Sequence, residues 1–318
     1  MIIDGRIRPA VGGFLEMPIP FNPEAMEPFS KKLGLNFANS AKNKSISEMI
    51  SEMKEAGIDM GVLVGRQSPG FGTGVGSKIN DDIAALISKY PDRFVGIGGI
   101  HPMPTKNAIM EIKRCIEELK FVGVALEPGV AATPLYPNDR KMYPIYDFCQ
   151  EIKIPIYLTV SGFVGPNIGF SDPAYVDQVA GDFPDLEIIV AHAAYPYVHP
   201  MLYSALLRPN INLILDLYVN MPGAQEFVTA ANLFLQDKLI FASAYPIGSF
   251  DSIMESYKRL KLKDDVREKV MYKNIARLLK IDINKKGKVS KDRDKVVDGS
   301  YESGASPFMS IFERKQYD

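Results

Sequence analysis

Short apolar runs recur along the chain, separated by longer stretches whose apolar positions return every three or four residues. The runs fall at residues 1–4, 60–64, 94–98, 123–126, 154–158, 188–191, 211–215 and 239–241. Most are aliphatic or β-branched at successive positions, which predicts strands buried on both faces, as in a parallel sheet. The stretches between them, at 46–56, 80–89, 105–120, 143–151, 173–183 and 225–235, carry the helical period, as do 251–260 and 265–279 after the last run. Eight alternating strand–helix units predict a (β/α)8 TIM barrel, a fold of about 250 residues. A doubly wound open sheet is the rival. It places a Gly-rich turn after its first strand, and Arg6-Ile7-Arg8-Pro9 is not one.

Two regions lie outside this rhythm. Residues 10–44 form an insertion after the first strand, rich in Pro, Phe and Met. A packed surface loop and a lid over the barrel mouth are both open readings, because loops after barrel strands surround the site. Residues 284–318 are polar and charged up to Pro307-Phe308-Met309-Ser310-Ile311-Phe312. The expected organisation is therefore a barrel over 1–283 and a polar extension over 284–318, whose apolar cluster packs on the barrel or on another copy of the chain.

Composition narrows the partners. With 46% hydrophobic residues in 318, the chain can bury a large core. A formal net charge of -1 gives no field that would favour nucleic acid or an anionic membrane surface. No apolar run reaches membrane-spanning length, and no basic segment precedes an apolar one at the N-terminus. Cys115 and Cys149 sit in helical stretches and are expected as reduced core thiols. The expectation is a cytoplasmic homo-oligomer acting on a small anionic molecule, with no nucleic-acid or membrane partner.

In a barrel the residues just after each strand meet at one face. In chain order they are Arg6 and Arg8, Arg66, His101, Glu127, Thr159 with Ser161, His192, Tyr218 with Asn220, and Ser243 with Tyr245. Arg6 and Arg8 stand one residue apart, so the alternation of a strand sends both to one side. Two guanidiniums repel a metal ion and attract a carboxylate or phosphate. The stretch Gly70-Phe71-Gly72-Thr73-Gly74-Val75-Gly76 lacks the Lys-Ser/Thr ending of a phosphate loop and reads as a loop near the mouth.

These residues, together with several motifs in fixed order, resemble a known family. The order runs Ile2-Ile3-Asp4, Gly99-Ile100-His101-Pro102, Tyr143-Pro144-Ile145-Tyr146, Phe183-Pro184-Asp185-Leu186, Ala191-His192-Ala193-Ala194-Tyr195-Pro196 and Phe241-Ala242-Ser243-Ala244-Tyr245-Pro246. It is similar to amidohydrolase-related proteins, in the branch of aminocarboxymuconate-semialdehyde and resorcylate decarboxylases, hydratases and pyrone-dicarboxylate lactonase. Asn274-Ile275-Ala276-Arg277-Leu278-Leu279 resembles that branch's closing helix. The resemblance implies a (β/α)8 barrel, in agreement with the strand pattern.

The departures bear on chemistry. The family's HxH after strand one corresponds to Arg6 and Arg8, its ligand histidine after strand five to Thr159, and its aspartate after strand eight to Ala244. Of the usual metal set only His192 remains, and one histidine is not a metal site. The family's Lys-x-His after strand four appears as Ala125-Leu126-Glu127. The expectation is thus no metal and no cofactor.

Three functions compete. The first is a metal-independent hydrolase acting on a small carboxylated substrate, with cyclic and aromatic rings both open. The second is a lyase, a decarboxylase or hydratase, with the same anion clamp. The third is a ligand-binding protein without catalysis. For catalysis the candidates are His192, whose imidazole titrates near neutral pH, and Glu127 as a base. For substrate binding they are Arg6, Arg8, Arg66, His101, Tyr157, Thr159, Tyr195 and Ser243. Several have a plain alternative: Arg6 and Arg8 as internal ion-pair partners of Glu127 or Asp216, Glu127 as a salt-bridge partner of an arginine, His192 as a retained structural histidine, Arg66 as a solvated loop residue, and His101 as a structural or positioning residue.

Overall fold

The computed structural model describes residues 1–17, 19–66, 77–161, 164–283 and 288–289. The Gly-rich segment 70–76 and the apolar cluster 307–312 fall outside these residues.

Eight parallel strands follow one another in sheet order: β1 (Ile3–Ile7), β2 (Met60–Val64), β3 (Phe94–Ile100), β4 (Gly123–Leu126), β5 (Ile156–Thr159), β6 (Ile188–Ala191), β7 (Ile211–Leu215) and β8 (Leu239–Phe241). The seam between β8 and β1 is held by a parallel bridge between Ile7 and Tyr245, with the Arg8 amide donating to the Tyr245 carbonyl at 3.0 Å. This is the (β/α)8 barrel expected from the strand pattern.

The helices are α1 (Gly12–Leu15), α2 (Pro23–Lys32), α3 (Asn39–Lys42), α4 (Ile46–Glu55), α5 (Lys78–Lys89), α6 (Thr105–Glu117), α7 (Tyr143–Glu151), α8 (Pro173–Asp182), α9 (Val198–Leu207), α10 (Ala224–Leu233), α11 (Phe250–Arg259), α12 (Asp264–Glu268) and α13 (Asn274–Leu278). Their starts carry recognisable signals. Ser45 accepts the Glu48 amide ahead of α4, the Ser-x-x-Glu arrangement of a capping box. Asp172 accepts the Ala174 amide ahead of α8, with Pro173 in the first turn.

Two apolar layers explain why the strands lack alternation. Ile3, Val62, Val64, Ile97, Tyr157, Ile189, Ile214 and Ile240 fill the barrel interior, and Ile275 and Leu278 of α13 join them with the following Leu279. Leu63, Val124, Leu126, Leu158, Val190, Leu213 and Phe241 point outward into the helix layer. Cys115 and Cys149 are buried free thiols.

The insertion packs rather than hovers. It folds into α1, α2 and α3 and buries Phe14, Phe21, Leu33, Leu35 and Phe37 in the outer core. The Ser249 amide donates to the Asn36 carbonyl at 2.7 Å, and Ser30 Oγ donates to the Ile247 carbonyl at 2.6 Å. On the far side, Tyr203, Leu206 and Leu207 of α9 are exposed beside Leu233 of α10 and the following Phe234. No helix among the described residues is long and apolar enough to cross a membrane.

β1 contains the irregularity that shapes the mouth. Asp4 pairs with Gly61 and Ile7 with Leu63, so three steps on β1 oppose two on β2. This is a β-bulge. Before it, Ile3 faces the interior; after it, Ile7 joins the outer layer with Leu63. At the bulge Gly5 and Arg6, although consecutive, both turn toward the barrel axis. A side chain on Gly5 would stand 2.9 Å from the Phe241 carbonyl oxygen, which glycine avoids. Tyr157 Oη donates to the Gly5 carbonyl at 3.2 Å.

Candidate functional site

The phase change in β1 delivers Arg6 and Arg8 to the C-terminal ends of the strands, where Glu127, Asp216 and His192 follow β4, β7 and β6. Glu127 is the hub. Arg8 donates to its Oε1, Arg6 Nη2 lies 3.6 Å from the same oxygen, and Arg66 Nε lies 2.6 Å from Oε2. Burial alone would raise the Glu127 pKa, but Arg66, Arg8 and Arg6 together hold it well below the ordinary carboxylate range. Glu127 is therefore an anion at any physiological pH, which suits a structural counter-ion better than a base.

Arg6 is placed differently from its neighbours. Its side chain is 3% exposed, and its carboxylate contacts are long, 3.6 Å to Glu127 and 3.9 Å from Nη1 to Asp216 Oδ2. Neither is within normal hydrogen-bonding distance. Its Nε has no partner among the described residues, nor do Arg8 Nε and Thr159 Oγ1. Burial, with Arg8 beside it, lowers the Arg6 pKa to about 10, so it stays cationic at neutral pH.

His192 Nδ1 lies 2.7 Å from Asp216 Oδ1, which also accepts the Leu217 amide at 2.8 Å. A carboxylate acceptor fixes the proton on Nδ1 and leaves Nε2 with its lone pair. Burial lowers the His192 pKa, against the pull of Asp216, so the ring is neutral at pH 7. The backbone enforces its aim. His192, Ala193 and Ala194 have φ of 66°, 46° and 53°, a left-handed turn that costs non-glycine residues about 1 kcal/mol or more each. Tyr218 meets the imidazole edge-on with centroids 5.9 Å apart, and Tyr195 stacks on Tyr218 at 4.3 Å. These two rings wall one side of the mouth.

The structure thus brings together Arg6, Arg8, Arg66, Glu127 and His192, with Tyr195 at the edge. Thr159 closes β5 two residues beyond the inward-facing Tyr157 and shares its side of the strand, buried at 1% exposure. Three other candidates, Tyr157, His101 and Ser243, are hydrogen-bonded to the scaffold. Tyr157 supports the Gly5 bulge from below. His101 Nδ1 binds the Met103 carbonyl at 2.6 Å, and its Nε2 faces the Ala132 amide at 3.5 Å. Ser243 Oγ accepts the Tyr245 amide at 3.0 Å, while its own amide donates to Asp4 Oδ1.

Asp216 enters the sequence reading only as an ion-pair partner of the arginines, and Asp4 has no role in it. The bond of Asp216 to His192 could have been expected, since Asp216 is the first residue after β7. Asp4 gave no such signal, because it reads as the end of an apolar run. Its Oδ1 accepts the Arg6 and Ser243 amides, both at 3.0 Å, tying the bulge to β8. Its Oδ2 is buried without a partner among the described residues, and burial pushes its pKa up to about 7.

A parallel barrel with titratable side chains gathered at its strand ends has the layout of the (β/α)8 enzymes. Residues 39–281 match the amidohydrolase family model. The chain belongs to that family. It is 21% identical over 246 residues to the gamma-resorcylate decarboxylase of Polaromonas sp., covering 64% of this chain and 76% of the relative. Among solved structures it is similar to an uncharacterized TIM-barrel protein from Bordetella bronchiseptica, with 40% identity, a TM-score of 0.80, and coverage of 87% of this chain and 98% of that one. A Polaromonas sp. dihydroxybenzoic acid decarboxylase crystallised with bound manganese and an inhibitor shares the fold at 18% identity and a TM-score of 0.64, covering 88% of this chain and 96% of that one.

That manganese raises the question of a metal here, and the residues present do not fit one. No group of three or more His, Cys, Asp or Glu among the described residues is arranged to hold an ion. Glu127 is surrounded by guanidiniums, and Asp216 is bonded to His192. Three positive charges around these donors oppose a divalent cation.

Proposed function

We propose that this protein is a lyase acting on a small carboxylated substrate, moving a proton to or from one of its carbons. The comparisons favour this class over the hydrolase reading, since the curated relatives include decarboxylases and a hydratase. The observation that carries the proposal is a neutral His192, bonded to the carboxylate of Asp216, beside the under-coordinated guanidinium of Arg6.

The division of labour follows from charge. Arg6 anchors a carboxylate or enolate oxygen, and as negative charge develops there the guanidinium stabilises it without reorganisation. His192 Nε2 takes a proton from a hydroxyl or water and returns it to carbon, while Asp216 stabilises the transient imidazolium. In hydration the water oxygen adds to a carbon–carbon double bond, the electron pair moves into the enolate, and His192 protonates the carbon. In decarboxylation the proton on His192 goes to the carbon that loses carbon dioxide.

A panel of hydroxybenzoates and unsaturated keto acids, followed by carbon dioxide release and by proton NMR in deuterated water, tests this. Deuterium at a substrate or product carbon, lost in His192→Asn, is the expected result. Turnover that cleaves only an ester or amide, with no carbon-bound deuterium, would return the assignment to hydrolysis.

A further inference from the structure

The mouth of this barrel holds several buried polar atoms that no described neighbour satisfies. Arg6 Nε, Arg8 Nε and Thr159 Oγ1 are buried and unpartnered among the described residues. The acceptors Glu127 Oε2, Asp216 Oδ2 and Asp4 Oδ2 are buried and likewise lack a well-directed hydrogen bond among the described residues; unpaired polar atoms gathered at one face are costly and favour a ligand that joins them. The terminal nitrogens of Arg6 stand 3.6 Å and 3.9 Å from their nearest carboxylates, too far for a hydrogen bond. Glu127 and Asp216 offset two of the three guanidinium charges, so the site keeps about one unit of positive charge once Asp4 is protonated.

We propose that this site binds an anion, with Arg6 as its resident cation, Thr159 as a neutral donor, and no divalent metal. The ligand class is a planar monocarboxylate or the oxyanion made from it. The inference deepens the lyase reading by naming what the strand ends bind, but binding and metal content are measurable without turnover.

The test uses the full chain, purified from cells grown with added manganese and zinc and without chelator. Metal content is read by mass spectrometry, and benzoate and manganese are titrated by calorimetry. We expect less than about one metal per ten chains, no manganese binding, and saturable benzoate binding. Arg6→Gln should weaken benzoate about 10-fold or more, the loss of a charge-assisted hydrogen bond. Thr159→Val should weaken it about threefold to tenfold and serves if Arg6→Gln does not fold. Near-stoichiometric metal, or benzoate affinity unchanged in the variant that folds, would overturn the proposal. Benzoate binding that follows these variants in a protein with no turnover would uphold the anion site and leave the lyase reading to fail alone.

Discussion

Asp216 Oδ1 lies 2.7 Å from His192 Nδ1, and that contact decides which imidazole nitrogen is left to act on substrate. Asp216→Asn retains the size of the side chain but presents either an amide donor or a weaker acceptor. We expect kcat to fall about 100-fold or more with a smaller change in KM, as for other carboxylates that orient a catalytic histidine. Steady-state kinetics across pH is the measurement. A kcat within a fewfold of wild type would leave Asp216 only a structural part.

Glu127 compensates three guanidiniums, so its removal should be felt as lost stability before lost chemistry. Glu127→Gln should destabilise the fold by about 3 kcal/mol, the usual scale for stranding buried charge. Urea unfolding checks this. Adding benzoate should recover part of the loss by supplying the missing negative charge.

The two buried carboxyls predict opposite pH dependence. Glu127 has its pKa lowered by folding, so its contribution is present above the ordinary 4.5 and lost as pH falls below it. Asp4 is raised from 3.8 to about 7. Between those values the folded chain keeps a proton the unfolded chain has released, so stability declines as pH rises and levels off above 7. Asp4→Asn retains an oxygen for the Arg6 and Ser243 amides and cannot ionise. It should be more stable than wild type at pH 8, with the decline between pH 4 and 7 removed. Denaturation midpoints at pH 5 and 8 that match wild type would contradict this.

Gly65, just before Arg66, lies against β3. A Cβ there would stand 2.4 Å from the Gly99 amide nitrogen, a backbone atom that Asn80 Oδ1 holds at 2.8 Å. Gly65→Ala should therefore cost about 2 kcal/mol or more and displace Arg66 from Glu127. A thermal melt together with the benzoate titration would register both effects.

Much of this was legible in the chain. The eight strands were, because burial on both faces writes an unmistakable run of aliphatics such as Ile188–Ala191. The gathering of Arg6, Arg8, Arg66, Glu127 and His192 followed from their positions after strands. Roles were harder. His101 and Ser243 stand at strand ends too, yet they bind backbone groups whose positions no residue pattern specifies. The apolar run covers 1–4, whereas the first strand spans Ile3–Ile7. Arginines within a strand read as its end, and only the bulge makes their inward direction compatible with Ile3 below.

The bulge in β1 has a consequence for how this surface can change. Along an unbroken strand, interior and rim residues share one alternation, and inserting or deleting one residue inverts both. Here the phase is reset at Gly5, so the packing of Ile3 and the aim of Arg6 and Arg8 are set separately. Substitution at the rim is thereby insulated from the core, and the first strand works as two joined modules, one conserving the barrel and the other free to choose its ligand.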